Sequence, residues 1–202
     1  MGTRPAVALG SWGSIAFSEA ITHRSVAHPG KLLARDYRGS GRFPVVDQGK
    51  EEVAGWTDDE SLVIAEGLPY VVFGDHTRAF KFVEFPFVLG ADGTQLLKPA
   101  DRFHPRFFYY SCLSLDIPNR GYNRHYSLLK EQSLPCPPKP EQEKISAVLR
   151  KAQRAIEIED KLIGTVRELK QSAMRQLFTR GITGNDPASD GFPQTWIPTR
   201  FD

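Results

Sequence analysis

The amino-acid sequence predicts an α+β chain: a mostly β globular domain with short helices, then one long helix able to form a coiled coil. Three observations predict it. Through residue 134, short apolar runs are punctuated by Gly, Asp and Asn, and aromatic residues are spread among them. Four prolines then fall between Pro135 and Pro140. Beyond them, about 40 residues carry apolar side chains at helical spacing.

In chain order, the strand candidates are Phe43–Asp47, Ser61–Ala65, Tyr70–Phe73, Ala79–Val83, Phe87–Leu89 and Gln95–Lys98. Each is a short apolar or β-branched run closed by turn residues. Ser14–Ala20 reads as a short helix. His104–Leu115 reads as a second one, because Pro105 suits a first helical position and an apolar run follows it. The segment 135–140 reads as a stiff, extended hinge, since proline removes backbone donors and disfavours helix in the residue before it.

The long helix is predicted over Glu141–Arg180. Glu141 and Glu143 favour its N-terminal end, and Gly181 fits a C-terminal cap. Ile145, Val148, Ala152, Ala155, Leu162, Val166, Leu169 and Ala173 recur at alternating spacings of three and four, with Glu159 the interruption. At ~1.5 Å per residue the rod is roughly 60 Å long. The alternative is an ordinary amphipathic helix lying on the globular domain, but a domain of 1–134, with a radius of gyration of about 14 Å, is too small to cover the whole rod, so most of the stripe needs a second helix. Residues 181–202 form a tail in which Trp196, Ile197 and Phe201 are apolar enough to act as a docking segment.

The 202 residues suit one domain with an appendage, and 40% hydrophobic against 25% charged residues excludes wholesale disorder. No run of apolar residues is long enough to cross a membrane. The N-terminal stretch lacks the apolar core of a signal peptide, so the cytoplasm is expected. Cys112 and Cys136 make neither a disulfide framework nor a zinc-ligand pattern. Net charge is +2, with basic and acidic residues balanced on both sides of residue 135. Any nucleic-acid partner is therefore not held by bulk charge.

Catalytic motifs are sparse. There is no P-loop, GxSxG or HExxH, and the one GxG, Gly39–Gly41, follows no clear strand. The nearest cluster is Gly74-Asp75-His76-Thr77-Arg78 after the run Tyr70–Phe73. With Lys81 and Glu84 it would make a metal-dependent nuclease. A polar turn with Asp75 capping backbone amides is the reading favoured here, because no second acidic pair stands nearby. His23, Arg24 and His28 read as a polar surface turn.

The junction LPCPPKPEQEKISAVLRKAQRAIEIEDKLIGTVRELKQSAMRQLFTRGI is more specific. Pro137-Pro138, Pro140-Glu141-Gln142, Lys144-Ile145 with Val148-Leu149, and Ala173-Met174-Arg175-Gln176-Leu177-Phe178 before Gly181 carry it. This region resembles the specificity subunit of type I restriction-modification systems. Phe43–Gly49, Ala54–Asp59, Val72–Arg78, Phe85–Phe87 and Gly90–Gly93 resemble one class of that family's target recognition domains. The resemblance covers residues from about 10 to 181. Family members usually carry two recognition domains and two long helices; here there is one of each, so the chain is a natural half-length subunit or a piece of a longer one.

The resemblance implies a target recognition domain over 1–134, and over 141–180 a helix that pairs with another and spaces two DNA half-sites. It implies double-stranded DNA, a methylation subunit and a restriction subunit as partners, and a homodimer through the helix. The dimer stripe is Ile145, Val148, Ala152, Leu162, Val166, Leu169 and Ala173. No cofactor is expected on the chain; S-adenosylmethionine, ATP and magnesium belong with the partner subunits, and catalysis with them. Long donors and aromatics in loops are the candidate DNA contacts. They are Lys50, His76, Arg78, Lys81, and the run Arg120, Tyr122, Asn123, Arg124 and His125. Arg pairs with guanine, Asn with adenine, and Lys with phosphate. The competing readings are the small nuclease and a coiled-coil adaptor that does not bind DNA.

Overall fold

The computed structural model describes residues 12–22, 28–91, 93–119, 121 and 124–182. The chain divides into two compact units, Met1–Leu149 and Arg150–Asp202. In chain order the elements are β1 (Gly13–Ala16), α1 (Phe17–Ala20), β2 (Phe43–Val46), β3 (Gly55–Thr57), β4 (Val63–Ile64), β5 (Tyr70–Gly74), β6 (Phe80–Val83), β7 (Phe87–Leu89), β8 (Thr94–Leu97), α2 (Pro105–Leu113), α3 (Tyr126–Lys130), β9 (Ser133–Cys136) and α4 (Lys139–Arg180). The fold is α+β, with small sheets, short helices and one long C-terminal helix.

The strands form three sheets. β1 pairs antiparallel with β9; β3-β2-β7-β4 form a mixed sheet in which β2 and β7 run parallel; β6-β5-β8 are antiparallel. β5 explains how the sheets share a core. All five of its residues are buried. Successive strand side chains face opposite ways. Val71 and Phe73 therefore enter one core with Phe17, Phe103, Phe107, Phe108 and Leu134, while Tyr70 and Val72 enter another with Val46, Phe87 and Leu89. A strand covered on both faces reads as an unbroken apolar run, which is the pattern Tyr-Val-Val-Phe.

Helix α2 begins at Pro105 and buries Phe107, Phe108, Ser111 and Cys112, one side of a short amphipathic helix. Burial pushes the Cys112 thiol well above its ordinary pKa. Cys112 and Cys136 are both free thiols.

Three expectations change. Ser14–Ala20 is not one helix. Its first half is β1, whose register Ser14↔Pro135 and Ile15↔Leu134 joins the two ends of the domain, and only Phe17–Ala20 turns helical. The proline-rich segment 135–140, expected as a stiff, extended hinge, lies within the first compact unit. Pro135 and Cys136 end a paired strand, Lys139 and Pro140 already belong to α4, and the globular unit continues to Leu149. Ile145, expected in the helix-pairing stripe, instead packs against the main core of the globular unit.

Gln142 explains why the first turns of α4 belong to that unit. It is fully buried. Its Nε2 donates to the carbonyls of Arg102 (3.1 Å) and Pro137 (2.8 Å), and its Oε1 accepts the backbone N–H of His104 at 2.7 Å. Ser146, also buried, donates its hydroxyl to the Gln142 carbonyl at 2.7 Å.

In the second unit the side chains of α4 are exposed. Leu162, Val166 and Leu169 are 55%, 55% and 68% accessible, and Ile156, Ile163 and Leu177 are exposed as well. No helix among the described residues is long and apolar enough to cross a membrane. The tail from residue 183 on, including Trp196, Ile197 and Phe201, lies outside the described residues.

Candidate nucleic-acid interface

Four connections of the globular unit meet at one place: the loop Asp47–Lys50 after β2, the turn from Gly74 to Ala79 between β5 and β6, the β7–β8 loop around Gly93, and the segment leading into α3. The turn forms because Gly74 donates its N–H to the Ala79 carbonyl (2.9 Å) and Arg78 donates to the Gly74 carbonyl (2.7 Å). Arg78 takes a left-handed backbone, φ 61°, to close it.

Asp75 ties three of the four connections together. It is 1% exposed. Its Oδ1 accepts the backbone N–H groups of His125 and Tyr126, both at 2.7 Å. Its carbonyl lies 2.8 Å from His125 Nδ1, and its N–H donates to the Gly93 carbonyl at 2.6 Å. Backbone donors at a helix start lack intrahelical partners, and a carboxylate is a strong acceptor for them. Asp75 therefore caps α3 from a distant turn. Burial, and then the Asp75 charge, raises the pKa of Tyr126.

Gln48 ties in the fourth connection. Its Oε1 accepts the His76 N–H at 3.3 Å and its carbonyl accepts the Thr77 hydroxyl at 2.5 Å. Gly93 sits here with φ +73°, and a Cβ on it would lie 2.8 Å from both Gln48 Oε1 and His76 Cδ2. The left-handed backbone favours glycine, and any side chain here would displace those of Gln48 and His76. Asp47 shapes its own loop by accepting the Gly49 N–H at 2.7 Å.

The candidate DNA contacts divide accordingly. Lys50 and Arg124 are exposed on the loop cluster, and His76 is half-buried in it. Arg78 is half-buried, with one Nη donating to the Ile117 carbonyl at 2.9 Å, so part of its guanidinium is committed to the fold. Two candidates are corrected. His125 is fully buried and bonded to Asp75, so its ring cannot reach DNA. Lys81 is 8% exposed, with its ammonium 3.5 Å from Asp47 Oδ1. Burial lowers the Lys81 pKa, and the Asp47 carboxylate opposes that shift. Arg120, Tyr122 and Asn123, with His23 and Arg24, lie outside the described residues.

The nuclease residues do not converge. Asp75 is a buried cap, the turn reading favoured above; Lys81 faces Asp47; Glu84 pairs with the Arg106 guanidinium, which lies 4.4 Å over the Phe82 ring. Among the described residues no group of three His, Cys, Asp or Glu is placed to hold a metal ion. Sequence pattern assigned no role to Gln48 or Gln142, since both act through backbone groups of distant segments. The one local signal is a glutamine in the first turn of a helix directly after prolines.

No protein-family model matches the chain. In sequence it is similar to the type I restriction enzyme EcoR124I/EcoR124II specificity subunit of Escherichia coli. The two are 28% identical over 124 residues, covering 56% of this chain and 30% of that protein. In structure it is similar to the type I restriction-modification S subunit from M. genitalium, with a TM-score of 0.61, 18% identity and coverage of 86% of this chain and 47% of that one. A chain from a type I R-M system, solved in work on its complex assembly and conformational transition, matches with a TM-score of 0.57, 18% identity and coverage of 83% and 45%. The fold is shared with the type I specificity subunits. The resemblance to a specificity subunit thus holds in sequence and in structure. This chain spans less than half the length of each of these relatives.

Proposed function

We propose that the chain is the DNA-recognition and scaffold subunit of a type I restriction-modification complex, acting in the cytoplasm. Its globular unit, a target recognition domain, reads one half of a bipartite duplex target. Its long helix pairs antiparallel with a second copy and sets the spacing between half-sites. The observation that carries this reading is the specificity-subunit fold joined to a helix whose apolar stripe, from Val148 through Leu169, stands exposed. Such a stripe needs a partner helix, and a homodimer supplies the second recognition domain and the second helix.

Methylation and restriction subunits are the further partners. They supply the chemistry, with S-adenosylmethionine, ATP and magnesium bound on them, and this chain carries neither cofactor nor catalytic group. The near-neutral charge fits weak binding of one copy to DNA and tighter binding of two.

Selection of a random duplex library on the purified full chain tests the reading. The expected result is a palindromic target of two short half-sites at fixed separation. Retention of no sequence would leave a protein-only coiled-coil adaptor. Cleavage of DNA by the pure chain with magnesium would instead make it the nuclease.

A further inference from the structure

We propose that an open cleft bounded by His28, Lys31, Lys98 and Lys130 holds the phosphate backbone of the duplex, beside the bases that the loop cluster reads. This rests on the DNA-recognition reading above, and it adds a surface that includes none of the loop candidates.

The cleft has a volume of about 470 Å³, and no carboxylate is among the described side chains lining it. Elsewhere in the globular unit some basic residues are neutralised at close range, while others, including Lys50, Arg78 and Arg124, stand without a carboxylate among the described residues. Arg38 pairs with Asp58, Arg42 with Glu60, Lys81 with Asp47 and Arg106 with Glu84. Among the described residues Lys31, Lys98 and Lys130 have no such carboxylate, and all three converge on this one cleft. Unneutralised cations collected in one groove attract a polyanion.

The three ammonium groups are also held in place. Lys31 Nζ donates to the Thr94 carbonyl at 2.7 Å. Lys98 Nζ bonds the Gly67 and Pro69 carbonyls and lies 5.1 Å over the Tyr70 ring. Lys130 Nζ lies 4.7 Å over the Tyr126 ring. Side chains ordered before binding lose less entropy when they meet a ligand. Each ammonium has three donors, so a bond to a carbonyl leaves others for phosphate oxygens.

The cleft continues the loop cluster. Thr94, which lines it, follows Gly93, and Tyr126, also on its wall, donates its N–H to Asp75. A strand whose bases meet the loops therefore has its neighbouring phosphates at the cleft, where contacts position the protein without reading sequence.

The test is a salt titration of duplex binding by the full chain, starting at low salt, with Lys31 and Lys130 replaced together (K31Q/K130Q). Both the selected target and a scrambled duplex are used. The expected result is binding about tenfold weaker to both duplexes, preference between them unchanged, and a slope of log affinity against log salt that falls by about 2. H28Q/K130Q breaks no side-chain hydrogen bond among the described residues and is expected to act in the same direction, which separates charge loss from misfolding. Wild-type affinity and slope in both variants, with the target still bound, would overturn the cleft and leave the recognition reading standing. Failure of the wild type to bind any duplex would overturn both. Inorganic phosphate is the remaining arm. If millimolar phosphate raises the thermal midpoint of the wild type but not of K31Q/K130Q, while DNA affinity is equal in the two, the cleft is a free-anion site and the DNA assignment falls.

Discussion

The Asp75 carboxylate holds the backbone N–H of His125 at 2.7 Å across 50 residues of sequence. The same oxygen takes the N–H of Tyr126, and the Asp75 carbonyl faces the buried His125 ring. One acidic side chain thus serves as the cap of α3 and as the fastening between the β5–β6 turn and the loop ahead of that helix. The residue types that look like an acid/base pair in sequence are used here to fix the geometry of the surface loops beside them.

Replacing Asp75 with Ala takes the acceptor from the partly buried Tyr126 N–H and leaves the buried His125 N–H only its 3.0 Å bond to the residue-75 carbonyl. The expected loss is about 3 kcal/mol of folding stability, with Asn costing about 1 kcal/mol because its carbonyl still accepts. Urea denaturation checks it. Equal stability of D75A and wild type would mean that the cap is not needed. Because Asp75 touches the loop backbone, D75N is also expected to lower target preference more than it lowers affinity for scrambled duplex.

Much of the fold was legible because the elements announce themselves locally. Tyr70-Val71-Val72-Phe73 is apolar without a break, and Pro105 opens an aromatic helix. What was not legible depends on distant partners. Ser14 and Ile15 are strand only because Pro135 and Leu134 lie alongside. Lys81 and His125 look like surface donors until Asp47 and Asp75 are seen to take them. Ile145 fits the heptad as well as Val148 does, but only packing reveals that the domain core takes it. The candidate site was therefore legible as a set of loops and illegible in which side chains face out.

Gln142 makes three hydrogen bonds from a buried amide, so Gln142→Leu orphans one backbone N–H and two carbonyls. Unsatisfied buried groups are costly even where the replacement fills the space. A loss of about 3 kcal/mol is expected in denaturant unfolding of the full chain. Proteolysis is expected to cut first near the junction of β9 and α4. A variant as stable and as protease-resistant as wild type would remove Gln142 as the clasp.

Lys81 gives the chain a pH signature. Burial favours its neutral amine, so the folded chain releases this proton at a lower pH than the unfolded chain does. Below the folded value, the full penalty of burying the cation is present. Between the two values the unfolded chain binds more protons, and stability rises with pH. Wild type is therefore expected to gain on K81M as pH climbs from neutral into the alkaline range. Loss of the cation beside Asp47 offsets that difference without tilting it. Urea midpoints across that range decide the matter, and a flat difference between the two proteins would sink it.

Arg124 is an exposed arginine on the described part of the loop cluster proposed to read DNA. An arginine that pairs with guanine in two hydrogen bonds contributes about 1–3 kcal/mol to discrimination. Arg124→Ala is expected to weaken the selected target tenfold or more and to leave scrambled duplex nearly unchanged. Lys50→Gln is expected to weaken both alike and to lower the salt slope by about 1. A salt-controlled titration separates the two patterns, and equal effects of R124A on both duplexes would reassign Arg124 to phosphate.

The stripe on α4 tests the dimer at particular positions. Leu162, Val166 and Leu169 sit at the three-and-four spacing that faces a partner helix, and all are more than half exposed. Ile156 and Ile163 are exposed one residue beyond that seam, where a two-helix coil covers side chains only at its margin. Burying a leucine is worth about 1.5–3 kcal/mol, and a two-fold interface counts every substitution twice. L162E/L169E is therefore expected to weaken self-association at least 100-fold, giving a monomer in light scattering at micromolar concentration. Its globular unit should unfold as in wild type. I156E/I163E is expected to remain a dimer under the same conditions. The reverse order, with the margin mutant monomeric and the seam mutant dimeric, would mean that the helix presents a different face to its partner.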